Sequence, residues 1–456
     1  MTRIDDFAED VVKSGLVSQA TLDRVRAASA KPETEDEPTA LAKRLVEEKF
    51  LTNYQAKKLL GGMTKGFFLG GHRILRRLGQ GGMGKVYLAV SEPDGFKVAI
   101  KVLPPKLASE GGQPLKRFRR EMDLSQRVKH HNLARTIDVG EADGVYFMIM
   151  EYVPGDSLYN VVKAGGPFRV PDAARYFLQV LDGLNAAHDG GLIHRDIKPS
   201  NLMITPEGAA KILDLGLARA SDEESALTRP NSVIGTLDYA SPEQLSNASS
   251  ADRRSDLYSL GCTLYFTLAG RAPFEGGDVI NKIFKQRMED PPPLEKITRG
   301  VPAAFAAIVK KLMAKEPNER YQTGADLQAD LARWTDPKVV RSILGAEADA
   351  AMVFRPPPPE LEDDDLRLLS EEKAGSVPGI LLRDLGEAEP GAAPGRRVVP
   401  PARPAVLVET PSRSAEIDRS PGGGSWREDS SWLMPFIVVV CMLGALAIVL
   451  IAALGR

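Results

Sequence analysis

Cysteine is nearly absent from this sequence. The chain has 456 residues and 2 cysteines. Cys262 and Cys441 lie in separate apolar segments, without other metal-ligating residues beside them. This excludes a disulfide framework and a zinc cluster, and it fits a reducing compartment.

The sequence also lacks an excess of charge of one sign. Lys and Arg number 59 against 61 Asp and Glu, so nothing indicates nucleic acid as the main partner. The first residues, MTRIDDFAED, lack the basic start and apolar core of a secretory signal. The length allows two or three domains, and 43% hydrophobic residues is ordinary for a folded protein.

Long apolar runs are missing until the C-terminus. Residues 433–454, LMPFIVVVCMLGALAIVLIAAL, carry no charged side chain and match the roughly 20 residues that cross a bilayer as a helix. A buried core helix is the alternative, but such helices normally have a polar face. Arg413, Arg419 and Arg427 precede the run and one arginine follows it, which favours a cytoplasmic N-terminal part. Residues 355–431, rich in Pro, Gly and charge, predict a disordered linker.

The N-terminal residues 1–65 contain an imperfect duplication. Residues 12–25, VKSGLVSQATLDRV, parallel residues 46–59, VEEKFLTNYQAKKL, at an offset of 34. Ser18 and Thr52 stand where a helix N-cap is expected, just ahead of an apolar-periodic helix. The pattern predicts a small helical module, because two copies are too few for a solenoid.

From residue 72 to residue 334 the pattern changes to short β-branched runs followed by helical periodicity. The segment LGQGGMGKVYLAV places Gly79, Gly81 and Gly84 in G-x-G-x-x-G spacing. On its own this spacing is weak evidence for any one kind of binding site, since dinucleotide-binding folds and plain glycine turns share it. Here a β-like run follows instead of a helix, and Lys101 then lies on a strand in KVAIKVL. Glycines that let backbone N–H groups approach closely, with a lysine opposite, indicate a polyphosphate ligand.

The lysine needs an anionic partner. Glu121, in the helical run LKRFRREMDLSQRV, is the favoured one, with Glu110 and Glu141 as alternatives. Val86 and Ala99 would then line the roof of an apolar adenine slot.

The segment IHRDIKPSNLMI combines polar groups that a turn does not require. Asp196 could accept the proton of an attacking hydroxyl, Lys198 could neutralise the transferring phosphoryl group, and Asn201 could hold a metal ion. In the later segment KILDLGLAR, Asp214 is suited to bridging Mg²⁺ to the β and γ phosphates. Phosphoryl transfer depends mainly on positioning and charge stabilisation, which these groups supply.

Taken together, the ordered motifs resemble the protein-kinase signature set. They are GQGGMGKV, VAIK, HRDIKPSN, DLG and SPE, and they extend over about 260 residues. The residues within these motifs are most similar to those of bacterial eukaryotic-like (Hanks-type) serine/threonine kinases. The resemblance implies an α+β, two-lobed fold: a β-rich lobe to about Met150, then a helical lobe. It also implies further nucleotide-binding residues, namely Gly82, the gatekeeper Met150, the hinge Glu151 to Val153, and Met203 beneath adenine. Asp256 and Arg320 match helical-lobe anchors.

The resemblance also implies regulation by a phosphate on the activation loop. Arg195 and Arg219 would pair with that phosphate, and Ser232 or Thr228 would carry it. Four residues depart from the family pattern. Leu215 keeps an apolar plug, Leu237 and Ser241 leave peptide specificity open, and Ser125 puts a polar group where an apolar one is usual. Ser125 lies one helical turn after Glu121, so it predicts that the active position of this helix needs outside support.

The sequence thus predicts a membrane-anchored serine/threonine protein kinase that uses ATP with Mg²⁺, Mn²⁺ being the substitute metal. Protein substrates and self-association for trans-autophosphorylation are the expected partners, and the cell membrane is the expected location, with the kinase domain cytoplasmic. The alternative is a catalytically weak or silent nucleotide-binding scaffold, which loss of Lys101, Asp196 or Asp214 would favour. All three are present.

Overall fold

A computed structural model describes residues 4–28, 38–81, 84–92, 94–103, 125–142, 144–215, 237–247 and 250–344. Several predicted features lie outside these ranges: Gly82, Glu110, Glu121, Arg219, Thr228, Ser232, the linker 355–431 and the apolar run 433–454. Within the described ranges, no helix is both long and apolar enough to cross a membrane.

The N-terminal module consists of two helical hairpins that repeat at the offset seen in the sequence. Its helices are α1 (Ile4–Lys13), α2 (Gln19–Ala27), α3 (Pro38–Glu47) and α4 (Asn53–Leu60). Ser18 and Thr52 cap α2 and α4 by accepting a backbone N–H three residues on. The hairpin turns contain Gly15 and Lys49 at equivalent positions, both with positive φ (74° and 62°). The buried faces of the helices share one apolar core.

A six-stranded antiparallel sheet follows the module. Its strands are β1 (Phe68–Leu69), β2 (His72–Gly81), β3 (Gly84–Ser91), β4 (Lys97–Val102), β5 (Thr136–Ala142) and β6 (Val145–Glu151), in the order β1-β2-β3-β4-β6-β5. The central strands β4 and β6 are rich in Val, Ile, Met and Phe, and most of their residues are buried. Side chains of this type favour a pleated, packed surface, which explains why these runs form the middle of the sheet.

The second lobe is mainly helical. Its helices are α5 (Leu158–Gly165), α6 (Val170–Asp189), α7 (Pro242–Ser246), α8 (Arg253–Ala269), α9 (Val279–Met288), α10 (Leu294–Ile297), α11 (Ala303–Leu312), α12 (Gly324–Ala332) and α13 (Pro337–Leu344). Helix α8 is buried around almost its whole circumference, so the other helices of the lobe pack around it. A capping box on Asp252 begins α8, and Gly270 in the left-handed conformation (φ 71°) ends it. The sheet lobe followed by a helical lobe confirms the expected two-lobed fold.

A small sheet lies where the polar motifs occur. It has the order β7-β8-β9, with β7 (Asp156–Ser157), β8 (Leu202–Ile204) and β9 (Ala210–Ile212). The segment between α6 and β8 carries HRDIKPSN, and Asp214 is the second residue after the end of β9. The fold therefore brings both polar motifs to one end of this sheet.

Candidate active site

The glycine-rich segment is the tip of the β2–β3 hairpin. Gly81 and Gly84 form the last pair of the hairpin, and Gly79 pairs with Val86. Gly84 has a φ of 124°, and a Cβ there would lie 1.9 Å from the carbonyl oxygen of Val102. Only glycine fits at that position, because β3 passes so close to β4. A Cβ on Gly79 would meet no atom within 4 Å, so the fold itself does not demand glycine there.

The predicted adenine roof is assembled at the centre of the sheet. Val86, Ala99 and Met150 belong to one apolar cluster. Ala99 pairs with Met150 across β4 and β6, and Val86 pairs with Lys101 across β3 and β4. The apolar surface and the lysine therefore occupy neighbouring positions, as a nucleotide requires for its base and its phosphates.

The segment between the lobes is fixed by its first residue. The Glu151 carboxylate contacts Lys211 Nζ at 2.6 Å and accepts the backbone N–H of Arg135 at 3.1 Å. Lys211 belongs to β9, so this contact ties the hinge to the second lobe. Val153 is buried, and Met203 lies partly exposed on β8.

Lys101 and Asp214 form an ion pair inside the site. Lys101 is 3% exposed, and its Nζ lies 2.9 Å from Asp214 Oδ2. Burial opposes the ionisation of Asp214, but the Lys101 ammonium outweighs it and holds the pKa of this carboxyl below its ordinary value. The favoured partner Glu121 lies outside the described residues, and the alternative Glu141 is an exposed residue of β5.

Lys198 and Asn201 both contact the same carboxylate oxygen of Asp196. Asp196 Oδ2 lies 2.8 Å from Lys198 Nζ and accepts a hydrogen bond of 2.9 Å from Asn201 Nδ2. The same nitrogen donates to the Asp196 backbone carbonyl at 2.8 Å. Asp196 is thereby held in one orientation by residues on both sides of the proline that follows Lys198.

Hydrogen bonds fix this loop against the strand end that carries Asp214. The Leu213 N–H donates to the Asn201 carbonyl at 2.8 Å, and His194 Nε2 lies 2.7 Å from the Leu213 carbonyl. Asp214 has a positive φ of 58°, as does Arg195 with 65°. Such backbone conformations are costly for these residues and persist where the surroundings determine them. The two halves of the site are therefore built as one unit.

A buried carboxylate on α8 binds the backbone of the loop that carries Asp196. Asp256 is fully buried and accepts the backbone N–H groups of His194 and Arg195, at 2.8 and 2.7 Å. His188 Nε2, from α6, lies 2.8 Å from the same carboxylate. The resemblance had indicated Asp256 but not His188, because a lone histidine in an amphipathic helix gives no signal of its own.

A second ion pair anchors the SPE segment. Arg320, whose side chain has no exposed surface, contacts both oxygens of Glu243, at 2.7 and 2.9 Å. Burial opposes the ionisation of Glu243, but the Arg320 contact outweighs it and lowers the pKa of that carboxyl. Beside it, Gln244 Nε2 donates to the Arg195 carbonyl at 2.8 Å. This link between the SPE helix and the catalytic loop was missed from the sequence.

Ser241 and Ser125, two of the four departures from the family pattern, each have a hydrogen-bond partner close by. Ser241 is buried and forms a capping box with Gln244 at the start of α7. The Asp238 carboxylate, next to Leu237, contacts Lys282 of α9. Ser125 is 4% exposed, and its hydroxyl lies 2.6 Å from that of Thr136 on β5. The polar Ser125 is thus supported by the sheet.

Of the predicted regulatory residues, only Arg195 falls within the described ranges. It lies between His194 and Asp196, and its backbone is held at both ends by Asp256 and Gln244. Arg219, Thr228 and Ser232 lie outside those ranges.

Comparison with known proteins agrees with this geometry. Residues 72–331 match the family model described as the protein kinase domain. A serine/threonine-protein kinase PknB from Mycobacterium tuberculosis is 40% identical over 261 residues, which are 56% of this chain and 41% of that protein. The kinase PrkC from Bacillus subtilis is 36% identical over 262 residues, or 58% of this chain and 40% of that protein. The chain thus spans about two fifths of the length of these relatives.

The M. tuberculosis PknI kinase domain with a C20A substitution is 25% identical, with a TM-score of 0.48, covering 60% of this chain and all of that one. The family assignment itself comes from the match to residues 72–331, which exceeds half of the chain and contains every described residue of the site. This chain belongs to the protein kinase family.

Proposed function

We propose that this protein transfers the γ-phosphate of ATP to serine and threonine hydroxyls of other proteins. The observation that carries the proposal is the Lys101–Asp214 ion pair, joined through Leu213 to the loop of Asp196 and Asn201. The curated relatives aligned with this region are named serine/threonine-protein kinases. Lys198 stands two residues after Asp196, as the resemblance expects of serine/threonine kinases rather than tyrosine kinases.

The side chains divide the work of the reaction between them. Lys198 and Asn201 both bind Oδ2 of Asp196, which leaves Oδ1 to accept the proton of the attacking hydroxyl. Lys198 is also placed to balance charge on the transferring phosphoryl group. Lys101 positions the phosphates beneath the glycine hairpin, and the apolar cluster of Val86, Ala99 and Met150 covers adenine.

Protein kinases use ATP together with divalent metal ions, which neutralise charge on the β and γ phosphates. Asn201 and Asp214 are the residues that fit a metal ion here. Both hydrogens of the Asn201 amide are donated to Asp196, so the amide oxygen remains as a ligand. The lowered pKa of Asp214 keeps its carboxylate ionised at neutral pH. Such oxygen ligands suit Mg²⁺, with Mn²⁺ as the substitute.

The test is incorporation of labelled phosphate from ATP and Mg²⁺ into a protein substrate and into the chain itself. Asp196→Asn removes the proton acceptor while keeping the hydrogen bond to Asn201, and we expect it to lower transfer by at least about a hundredfold. Asp94→Asn, on an exposed turn, is the matched control and should transfer at the wild-type rate. Equal labelling by wild type and Asp196→Asn would instead support the silent scaffold.

Regulation is proposed on the same basis. A phosphate on Thr228 or Ser232 would pair with Arg195 and Arg219 and order the segment between Asp214 and Glu243. Self-association would allow one chain to phosphorylate another. Mass spectrometry of active protein should find one of the two residues phosphorylated, and this phosphate should be missing from Asp196→Asn. Active protein with both residues unmodified would contradict the proposal.

The organisation of the chain is likewise a proposal: a helical module in 1–65, the kinase domain in 72–334, a linker in 355–431 and a membrane-spanning helix in 433–454. Its support is the apolar composition of the last segment. The kinase domain would then face the cytoplasm at the cell membrane. Deleting residues 432–456 should move the protein from the carbonate-washed membrane fraction to the supernatant with its transfer activity retained. A full chain already found in the supernatant would rule the anchor out.

A further inference from the structure

The N-terminal module is attached to the strand that leads into the glycine hairpin. Helix α4 packs against β2, and two of its side chains donate hydrogen bonds to that strand. Thr52 Oγ1 donates to the Leu75 carbonyl at 2.6 Å, and Gln55 Nε2 donates to the Ile74 carbonyl at 2.6 Å. Gln55 has no exposed surface, so this contact is made away from water.

The two carbonyls lie at an irregularity of the sheet. Ile74 pairs with Ala89 and Arg76 with Leu88, so Leu75 is an extra residue in β2, as in a β-bulge. A bulge residue is left out of the ladder, and its buried polar groups need other partners. Helix α4 supplies them. Because a bulge sets the local twist and direction of its strand, fixing it also fixes the course of β2 as far as Arg77, beyond which a second irregularity precedes Gly79.

The atoms that make this contact are the same groups that start helix α4. Thr52 Oγ1 accepts the Gln55 N–H at 3.2 Å, and Gln55 Oε1 accepts the Thr52 N–H at 2.9 Å, which forms a capping box. Each side chain thus has one bond within the helix and one to the sheet. Helix formation and attachment to β2 are therefore linked.

The first copy of the duplication provides an internal comparison. Its cap residue Ser18 accepts the Thr21 N–H at 3.2 Å and donates to the Thr21 hydroxyl at 3.0 Å, and both bonds are exposed. Thr21 occupies the position of Gln55. The first copy therefore has the cap and directs its hydroxyls to itself, whereas the second copy directs a hydroxyl and an amide to the kinase sheet.

Aromatic packing extends the contact to the next strand. The rings of Tyr54 and Tyr87 lie with centroids 6.4 Å apart, and both pack against the apolar cluster of the sheet. Tyr87 belongs to β3 and immediately follows Val86 of the adenine roof. Helix α4 consequently contacts both strands of the glycine hairpin.

We propose that α4 is a positioning element for the glycine hairpin, so that the N-terminal module sets the affinity of the kinase for ATP. Thr52 and Gln55 are positioning residues in this scheme and touch no substrate. The inference rests on the proposed kinase function. It predicts that loss of the α4–β2 contact loosens the hairpin, which raises KM for ATP and leaves kcat nearly unchanged, because the Asp196 loop belongs to the other lobe.

The test uses the full chain and four variants. Gln55→Glu keeps the acceptor of the capping box but removes the donor to Ile74. Thr52→Ala removes the donor to Leu75, and Thr52→Ser restores a hydroxyl. Ser18→Ala removes the equivalent cap in the first copy and is the matched control. For each protein, the Kd of ATP with Mg²⁺ is measured by calorimetry, KM and kcat by phosphate transfer, and folding by thermal unfolding.

We expect Thr52→Ala to raise Kd and KM about threefold to tenfold, the equivalent of one hydrogen bond. Gln55→Glu should raise them by at least as much, because it buries a carboxylate beside the Ile74 carbonyl. In both variants kcat should stay within about twofold of wild type. Thr52→Ser should bind ATP as wild type does, and so should Ser18→Ala. Wild-type ATP binding by Gln55→Glu would overturn the proposal. An equal loss of binding in Ser18→Ala would overturn it too, because general destabilisation of the module would then suffice.

The two proposals fail separately. A wild-type chain that binds ATP but transfers no phosphate would refute the kinase function, and the Kd values of the variants would still decide the role of α4. A chain that transfers phosphate with identical Kd in all variants would refute only the role of α4.

Discussion

Replacing Arg320 by lysine perturbs a network that joins the SPE segment to other parts of the helical lobe. The arginine side chain is completely buried and uses all five of its N–H donors. They go to both Glu243 oxygens at 2.7 and 2.9 Å, and to the carbonyls of Arg254, Ala314 and Lys315 at 3.0, 2.7 and 2.8 Å. Lysine keeps the charge, but its three donors on one atom cannot reproduce the planar fork.

The magnitude follows from what the substitution leaves unpaired. Lysine can satisfy at most three of the five acceptor contacts, and each buried acceptor left without a donor costs about 1–3 kcal/mol. Removing one partner of a buried ion pair costs about 3–5 kcal/mol. For Arg320→Lys, where the charge stays, we expect a loss of about 3 kcal/mol in the free energy of unfolding. That is a large share of the total for a domain, which is typically about 5–15 kcal/mol.

The assay is urea unfolding followed by tryptophan fluorescence, to which the buried Trp334 of the helical lobe contributes. Arg73→Lys serves as the control, because Arg73 contacts Glu92 at 2.8 Å with side chains 33% and 49% exposed. Exposed pairs of this kind contribute less than about 1 kcal/mol. The reasoning would be refuted by an Arg320→Lys protein that loses no more stability than Arg73→Lys.

The same pair makes a prediction about pH. The folded-state pKa of Glu243 is lowered, so the ionised Glu243 contributes to the free energy of unfolding. This contribution is fully present above the unfolded-state pKa of about 4.3 and is lost as the pH falls through the folded-state pKa. Arg320→Lys weakens the contact that lowers this pKa. The stability that depends on pH between these two pKa values should therefore be smaller in Arg320→Lys than in the wild type, in unfolding curves recorded between about pH 3 and 7.

Three further predictions concern single positions. Lys49→Gly should stabilise the module by about 0.5–1 kcal/mol in thermal unfolding, because Lys49 has a φ of 62° where the equivalent residue of the first copy is glycine; a destabilised variant would contradict this. Gly84→Ala should lower the free energy of unfolding by more than about 2 kcal/mol, since its Cβ would meet the Val102 carbonyl at 1.9 Å. Gly79→Ala should lower it by less than about 1 kcal/mol. Equal losses in the two variants would refute this reasoning. Burial raises the pKa of Asp214 and the Lys101 charge lowers it, so Lys101→Met should raise this pKa. The lowest pH at which the protein binds Mg²⁺–ATP should therefore move upward. Calorimetric titrations over a pH series check this, and an unchanged lower limit would contradict it.

The sequence indicates polar residues that lie close together in the structure, because the chemistry of phosphoryl transfer restricts both their types and their order. Asp196, Lys198 and Asn201 fall within six residues, so a local loop is enough to bring them together. The residues that support them could not be predicted in this way. His188 lies on α6 and Gln244 on α7, outside the loop that they stabilise. A histidine or glutamine on a helix has no sequence pattern that reveals its partner.

Ser125 has a partner that the sequence did not reveal. A polar residue at an expected apolar position suggested that the active position of its helix needs outside support, and this stays a prediction because residues 104–124 lie outside the described ranges. The hydroxyl of Ser125 lies 2.6 Å from that of Thr136, so the buried polar group is satisfied by a neighbouring strand. Two hydroxyls that compensate each other from separate elements leave no signal in either segment alone.

The duplicated module shows where sequence reasoning ends. Periodicity and cap residues predict the same helical hairpin in both copies, and both copies form it. What separates them is the use of side chains beyond the cap: Thr21 bonds only within its own turn among the described contacts, while Gln55 reaches the Ile74 carbonyl. Threonine has no amide donor and is shorter by about two bonds, so the first copy could not make this contact even if it stood beside β2. One hairpin of the repeat therefore completes the module, and the other is attached to the strand that leads into the glycine hairpin.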